Sequence, residues 1–122
     1  MPLEVIVDKD RRVIKMRGSG ILTDADLAQA HDLVENNPSA DPSFPRICDL
    51  SEVSDVNISD GSLDAWAADS ISNPPVRHAI ICTAPPIMKR VLDYIRLSRK
   101  QFREISIFPD FDKAFEWLNR DH

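Results

Sequence analysis

The sequence predicts an α/β fold: a mixed sheet with element order ββαβαβαβα, in which an N-terminal hairpin is followed by parallel strands joined by helical crossovers. Three observations predict it. Residues 3–8 and 12–17 alternate apolar and polar side chains around the polar turn Lys9-Asp10-Arg11-Arg12, the pattern of two antiparallel strands that each bury one face. After them, short apolar runs alternate with segments whose apolar residues recur at helical spacing. One run, residues 78–83, is almost continuously apolar, as in a strand covered on both faces, and is therefore placed centrally.

Each element has its own punctuation. Gly18-Ser19-Gly20 ends the hairpin, and Thr23 with Asp26 has the spacing of a capping box, so a helix starts there with Leu27, Ala30, Leu33 and Val34 on one face. Asn36-Asn37-Pro38 stops it. Residues 38–45 hold three prolines and no periodicity, and read as a surface connection. Residues 46–50 form the next strand, with Ile47, Cys48 and Leu50 to bury and Asp49 near its carboxyl end, where open α/β sheets present their functional groups. An acidic loop follows. Ser59 and Asp60 then cap a helix carrying Leu63, Trp66, Ala67 and Ile71, which Asn73-Pro74-Pro75 breaks.

Past the central strand, Pro85 and Pro86 suit the first turn of a long helix, where amide hydrogens have no intrahelical partner. That helix is expected to bury Met88, Val91, Leu92, Ile95 and Phe102. Ile87, Tyr94 and Leu97 lie outside that stripe, more apolar surface than one core face needs, and predict a homo-oligomer. Residues 105–108 form the last strand. Asp110 caps a final helix whose stripe is Phe111, Ala114, Phe115 and Leu118, with Trp117 alongside.

Composition bounds the function. A chain of 122 residues without linker or repeat is read as one domain over residues 1–122, long enough to fold without staples. Net charge of −5 argues against nucleic acid as a partner, but the charge is unevenly spread. Residues 86–103 carry six basic side chains and one acid, whereas seven acids fall within residues 41–69. No apolar run approaches the ~20 residues of a membrane span, and with no basic leader before an apolar core the expected location is cytoplasmic. Cys48 and Cys82, both inside strands, read as buried thiols of a reducing compartment. No metal is expected, because His31, His78 and His122 are scattered and no CxxC or HxxxH pair occurs.

No cofactor is expected either. The glycines at 18 and 20 suggest a dinucleotide-binding turn, but Thr23 stands where the third glycine belongs and the preceding strand is a hairpin arm. Phosphate-binding loop, nucleophile elbow and zinc-protease helix are all missing, and no acid, base and nucleophile have a spacing that brings them together. The chain is therefore read as a non-enzyme.

The element order, the Asp49-Leu50-Ser51-Glu52-Val53 segment and the capped helix after it resemble the STAS family of anti-sigma-factor antagonists, which has the SpoIIAA-like fold. The resemblance covers essentially the whole chain. It is closest to an uncharacterised bacterial branch with that fold, through Gly20, Leu22 and Thr23 and through Phe108, Asp112, Ala114, Trp117 and Leu118. The resemblance implies a regulatory protein-interaction module whose partner is another protein, an anti-sigma-like or kinase-like regulator. It also implies a phosphorylated serine at the start of the helix after the DLS strand. Here Ser59 stands in that place with Ile58 where the family has aspartate, and Ser62 follows; either serves as phosphoacceptor or simply as helix cap.

Two function classes follow. A partner protein would be met by an acidic face of Asp49, Ser51, Asp55, Asp60 and Asp64, and phosphorylation of Ser59 is expected to alter that face while leaving stability nearly unchanged. Alternatively, the likeness to lipid-binding CRAL-TRIO domains implies a small apolar or anionic ligand, with Lys89, Arg90 and Arg96 on the basic helix to hold it.

Overall fold

The computed structural model describes residues 3–41, 43–61, 77–98 and 104–120. Its strands β1 (Leu3–Asp8), β2 (Val13–Thr23), β3 (Arg46–Asn57), β4 (Arg77–Ile81) and β5 (Glu104–Phe108) form one sheet in the order β1-β2-β3-β4-β5. β1 and β2 pair antiparallel from Leu3↔Gly18 to Asp8↔Val13, and all other neighbours are parallel, as predicted. The hairpin turn is held by the Arg11 amide, which donates to Asp8 Oδ1 at 3.0 Å, and by Arg12, whose φ of 55° reverses the chain.

Side-chain alternation along the strands divides the core into two layers. Ile14, Met16, Cys48 and Ile80 face α1 (Asp24–Glu35) and α2 (Pro85–Ser98), while Val13, Ile47, Ala79 and Ile81 face α3 (Phe111–Leu118). β4 lies between β3 and β5 with all five residues buried, so the continuous apolar run does mark an interior strand. α1 starts as its spacing predicts: Asp26 Oδ2 accepts from the Thr23 amide at 2.8 Å and from its hydroxyl at 3.0 Å. α3 is capped by Asp110, whose Oδ1 accepts from the Lys113 amide at 2.9 Å. Arg77 secures its other end, donating to the carbonyls of Trp117 and Arg120 at 2.6 and 2.8 Å.

Two expectations are corrected. β2 does not end at Gly18 and β3 does not end at Leu50: past Gly18 and Asp49, where pairing to β1 and β4 stops, the two strands run on together from Ser19↔Glu52 to Thr23↔Asn57. They form a two-stranded parallel ribbon, and the expected acidic loop is its second strand. The glycines sit at irregularities inside β2 rather than at its end. A Cβ on Gly18 would stand 2.9 Å from Val53 Cγ2, so its absence lets β3 approach, and Gly20, at φ +64°, stands at the second shift; at both shifts the extra residue lies on β3. Asp49 is consequently mid-strand.

The second correction is the buried face of α2. Ile87, Val91 and Tyr94 form its inward stripe, with Met88 and Ile95 half-buried beside it, while Leu92 is 54% exposed. Ile87 and Tyr94 are thus core residues, and the surplus apolar face that suggested self-association is not built from them. In α1, likewise, Ala30 and Val34 are buried but Leu33 is exposed. Ser62, Asp64 and the rest of the helix expected after Ser59, the break at Asn73-Pro74-Pro75, the Leu97 side chain and Phe102 lie outside the described residues. Among the described residues no helix is long and apolar enough to cross a membrane.

Candidate functional site

The ribbon turns one side to the core through Leu22, Val53 and Val56 and the other to solvent. On the solvent side Ile21, 54% exposed, is the register partner of Asp55. Arg17 Nη2 reaches Glu52 Oε1 at 3.3 Å, so the outer face is acidic with one internally matched pair. Asp49 is half-buried beside Arg17 and spends one carboxylate oxygen on the exposed Ser51, whose amide donates to it at 2.9 Å. Asp55 does the same for the Val56 amide at 2.8 Å. Asp49, Ser51 and Asp55 therefore share one strand, in place of the strand and acidic loop expected.

Asp60 does not join them. It turns to α2, where Arg90 Nη1 donates to Asp60 Oδ1 at 3.0 Å and to Asp93 Oδ2 at 3.2 Å, and Arg90 Nη2 donates to the Ile58 carbonyl at 2.7 Å. The acidic and basic segments of the sequence thus meet at the helix start and neutralise each other there. Arg90 is engaged in structure. Lys89 is exposed one residue earlier, and Arg96 Nη2 stands 3.7 Å from Asp93 Oδ1, so the three cations do not converge on one anion site.

Ser59 is tied to the first turn of α1. Its amide donates to Asp24 Oδ1 at 2.8 Å and its hydroxyl to Asp24 Oδ2 at 3.1 Å. A phosphate or carboxylate on Ser59 would face this carboxylate at hydrogen-bond distance, which reverses the expectation that stability is untouched. Ser59→Asp should lower stability by about 1 kcal/mol and Tm by a few degrees, whereas Ser59→Ala, which loses the hydrogen bond without adding charge, should cost less. Thermal melts of the two variants at low and high salt check this; equal losses at both salt concentrations would exclude the electrostatic cause.

Beneath α2 the core is incompletely filled. A half-open cavity of about 90 Å³ lies between the sheet and the helix, walled by Leu22, Cys48, Val56, Ile80, Val91 and Tyr94, with Arg90 among its lining residues. His78 also lines it, from the start of β4. His78 is 3% exposed, pairs across the strands with the buried Arg46, and meets the Tyr94 ring edge-on at 5.8 Å between centroids. Burial, with Arg46 adding to it, pushes the imidazole down to about 3, and burial pushes the Arg46 guanidinium down to about 10 against the opposing influence of Tyr94. The Cys48 thiol is pushed up to about 12 by burial first, then by Asp49 and Cys82. Cys82 is buried as well and its thiol is also raised by burial. Both cysteines are free, as expected.

Sequence reasoning assigned no role to Arg46 or His78, and gave Tyr94 to a surplus apolar face of α2 rather than to the core. The signal was in the alternation: Arg46, Cys48 and Leu50 share one side of β3, and His78 and Ile80 the same side of β4. Among the described residues no group of three or more histidines, cysteines and carboxylates could hold a metal.

No family model matches the chain, and no curated protein matches it. Among solved structures it is similar to the crystal structure of an uncharacterized protein from the DUF3478 family with a SpoIIAA-like fold, from Shewanella loihica PV-4. The TM-score is 0.63 at 19% identity, over 95% of this chain and 91% of that one. At this identity the likeness is one of architecture, and it agrees with the hairpin-led mixed sheet described above: the chain has a SpoIIAA-like fold.

Proposed function

We propose that the chain is a non-catalytic regulatory module that binds another protein through the outer face of the β2–β3 ribbon. The observation that carries this reading is Ile21, an isoleucine 54% exposed on a strand and bordered by Asp55 and Glu52. An exposed branched apolar side chain ringed by acids suits a partner that presents a basic surface around an apolar contact, with the charges steering encounter and the isoleucine supplying buried area. The sequence resemblance implies an anti-sigma-like or kinase-like regulator in that place. Burial supports the non-catalytic part: a histidine held neutral down to about 3 and a thiol protonated up to about 12 are poorly placed as base and nucleophile near neutral pH.

The test begins with cross-linking in extracts of the native host, followed by purification of the captured protein and titration against wild type and the pair Ile21→Ser/Asp55→Lys. The variant should fold with an unchanged circular dichroism spectrum and bind at least about tenfold more weakly, a loss of ~1.4 kcal/mol. Wild-type binding should also weaken with salt. Equal affinity for wild type and variant overturns the assignment of this face.

A further inference from the structure

We propose that the cavity beneath α2 is a binding site for a compact, uncharged apolar molecule. This goes beyond the ribbon's role and rests on a different part of the structure. The cavity of about 90 Å³ is walled by aliphatic side chains from β1, β2, β3, β4, α1 and α2, and its polar borders are already committed or neutral. Arg90, which would otherwise attract an anion, is held by Asp60, Asp93 and the Ile58 carbonyl. The Cys48 thiol stays protonated up to about 12, and the His78 ring stays uncharged down to about 3. Little in the wall offers to solvate a charge. An ionised ligand would have to shed its water for a surface that gives back few hydrogen bonds, so the site selects against ions.

Size narrows the class. An apolar cavity of roughly 150 Å³ accepts benzene, so in proportion the volume here fits about four non-hydrogen atoms. It is far below the roughly 300–1,000 Å³ of sites that enclose drug-sized ligands, and an acyl lipid does not fit inside it. A noble gas does, and so does the four-carbon skeleton of a branched alcohol whose hydroxyl stays at the edge. Arg90 is a lining residue whose side chain is 24% exposed, so it lies where the lining meets solvent.

The experiment uses the full chain with xenon and 2-methylpropan-1-ol as probes and 2-methylpropanoate as the charged counterpart, followed by methyl NMR. Saturable shifts are expected at the methyls of Leu22, Val56, Ile80 and Val91 with xenon and with the alcohol, and none with the carboxylate at neutral pH. Cys48→Leu, which fills the cavity, should weaken both probes at least tenfold, and Val91→Ala, which enlarges it, should strengthen them. If Cys48→Leu fails to fold, Val91→Ala still decides. Shifts that rise linearly without saturating, an affinity indifferent to Val91→Ala, or equal binding of the carboxylate would each overturn the proposal. Loss of ribbon binding in Ile21→Ser/Asp55→Lys should leave these shifts unchanged, which keeps the two readings separable.

Discussion

Lowering the pH from 6.5 to 4 should cost the fold roughly 3 kcal/mol through His78, at about 1.4 kcal/mol per pH unit once the unfolded histidine is fully protonated. The sign follows from the shift. An unfolded histidine takes up its proton near 6.5, whereas burial and the neighbouring Arg46 delay this in the native state to about 3. The contribution is therefore whole above 6.5 and is lost progressively as pH falls towards the folded value. A domain with ~5–15 kcal/mol in hand would lose a sizeable fraction. The window separates His78 from the carboxylates. Asp8 and Asp41 are both held below 3.8, chiefly by the Arg11 and Ser43 amides, so whatever they contribute is lost only below about that pH.

Urea unfolding at half-unit pH steps checks this, together with histidine NMR of the native state. His78→Leu should flatten the limb between 6.5 and 4 while leaving the limb below 4 in place. Arg46→Met removes a positive charge beside the ring and should let His78 titrate at higher pH. A native His78 that titrates near 6 would contradict the burial argument directly.

The buried charge illustrates what in this chain could be read from the sequence and what could not. Elements whose periodicity is unbroken were legible. β1 alternates cleanly, β4 ends in the apolar run Ala79-Ile80-Ile81, and α3 repeats Phe111, Ala114, Phe115 and Leu118 behind an Asp110 cap. The ribbon was not legible, because strand periodicity is lost where β3 bulges: Leu50, Val53 and Val56 all face inward at a spacing of three, with polar residues between them. A run such as Ser51-Glu52-Val53-Ser54-Asp55 then looks like a loop. Arg46 and His78 were passed over for a related reason: charge and polarity normally mark an exposed strand position, and only the alternation with Cys48 and Ile80 places them inside. The candidate site inherits both failures. Its acidic residues were found, but as a loop face, while the cavity and its buried polar rim form only when β3, β4 and α2 come together.

The same limit applies to α2, and there it yields a measurement that distinguishes the sequence reading from the structure. At 100° per residue, Ile87, Met88, Val91, Leu92, Tyr94 and Ile95 spread apolar surface over an arc of about 160°, wider than one core stripe needs, so periodicity alone does not choose which part is buried. A stripe of Met88, Val91, Leu92 and Ile95 predicts a large loss on truncating Leu92 and a small one for Ile87. The structure inverts that order. Ile87 is 2% exposed within the main core cluster, and Leu92 is 54% exposed. Ile87→Ala removes three buried carbon atoms and leaves a cavity against the sheet, for an expected loss of about 2–5 kcal/mol. Leu92→Ala trades one exposed apolar side chain for a better helix former and should stay within about 0.5 kcal/mol. Chemical denaturation of the two variants should give a midpoint well below wild type for Ile87→Ala and near wild type for Leu92→Ala, with similar slopes. If instead Leu92→Ala is the costly one at low micromolar protein, and its cost grows with concentration, then Leu92 is covered by a second copy of the chain, and self-association is built on this face rather than on Ile87 and Tyr94.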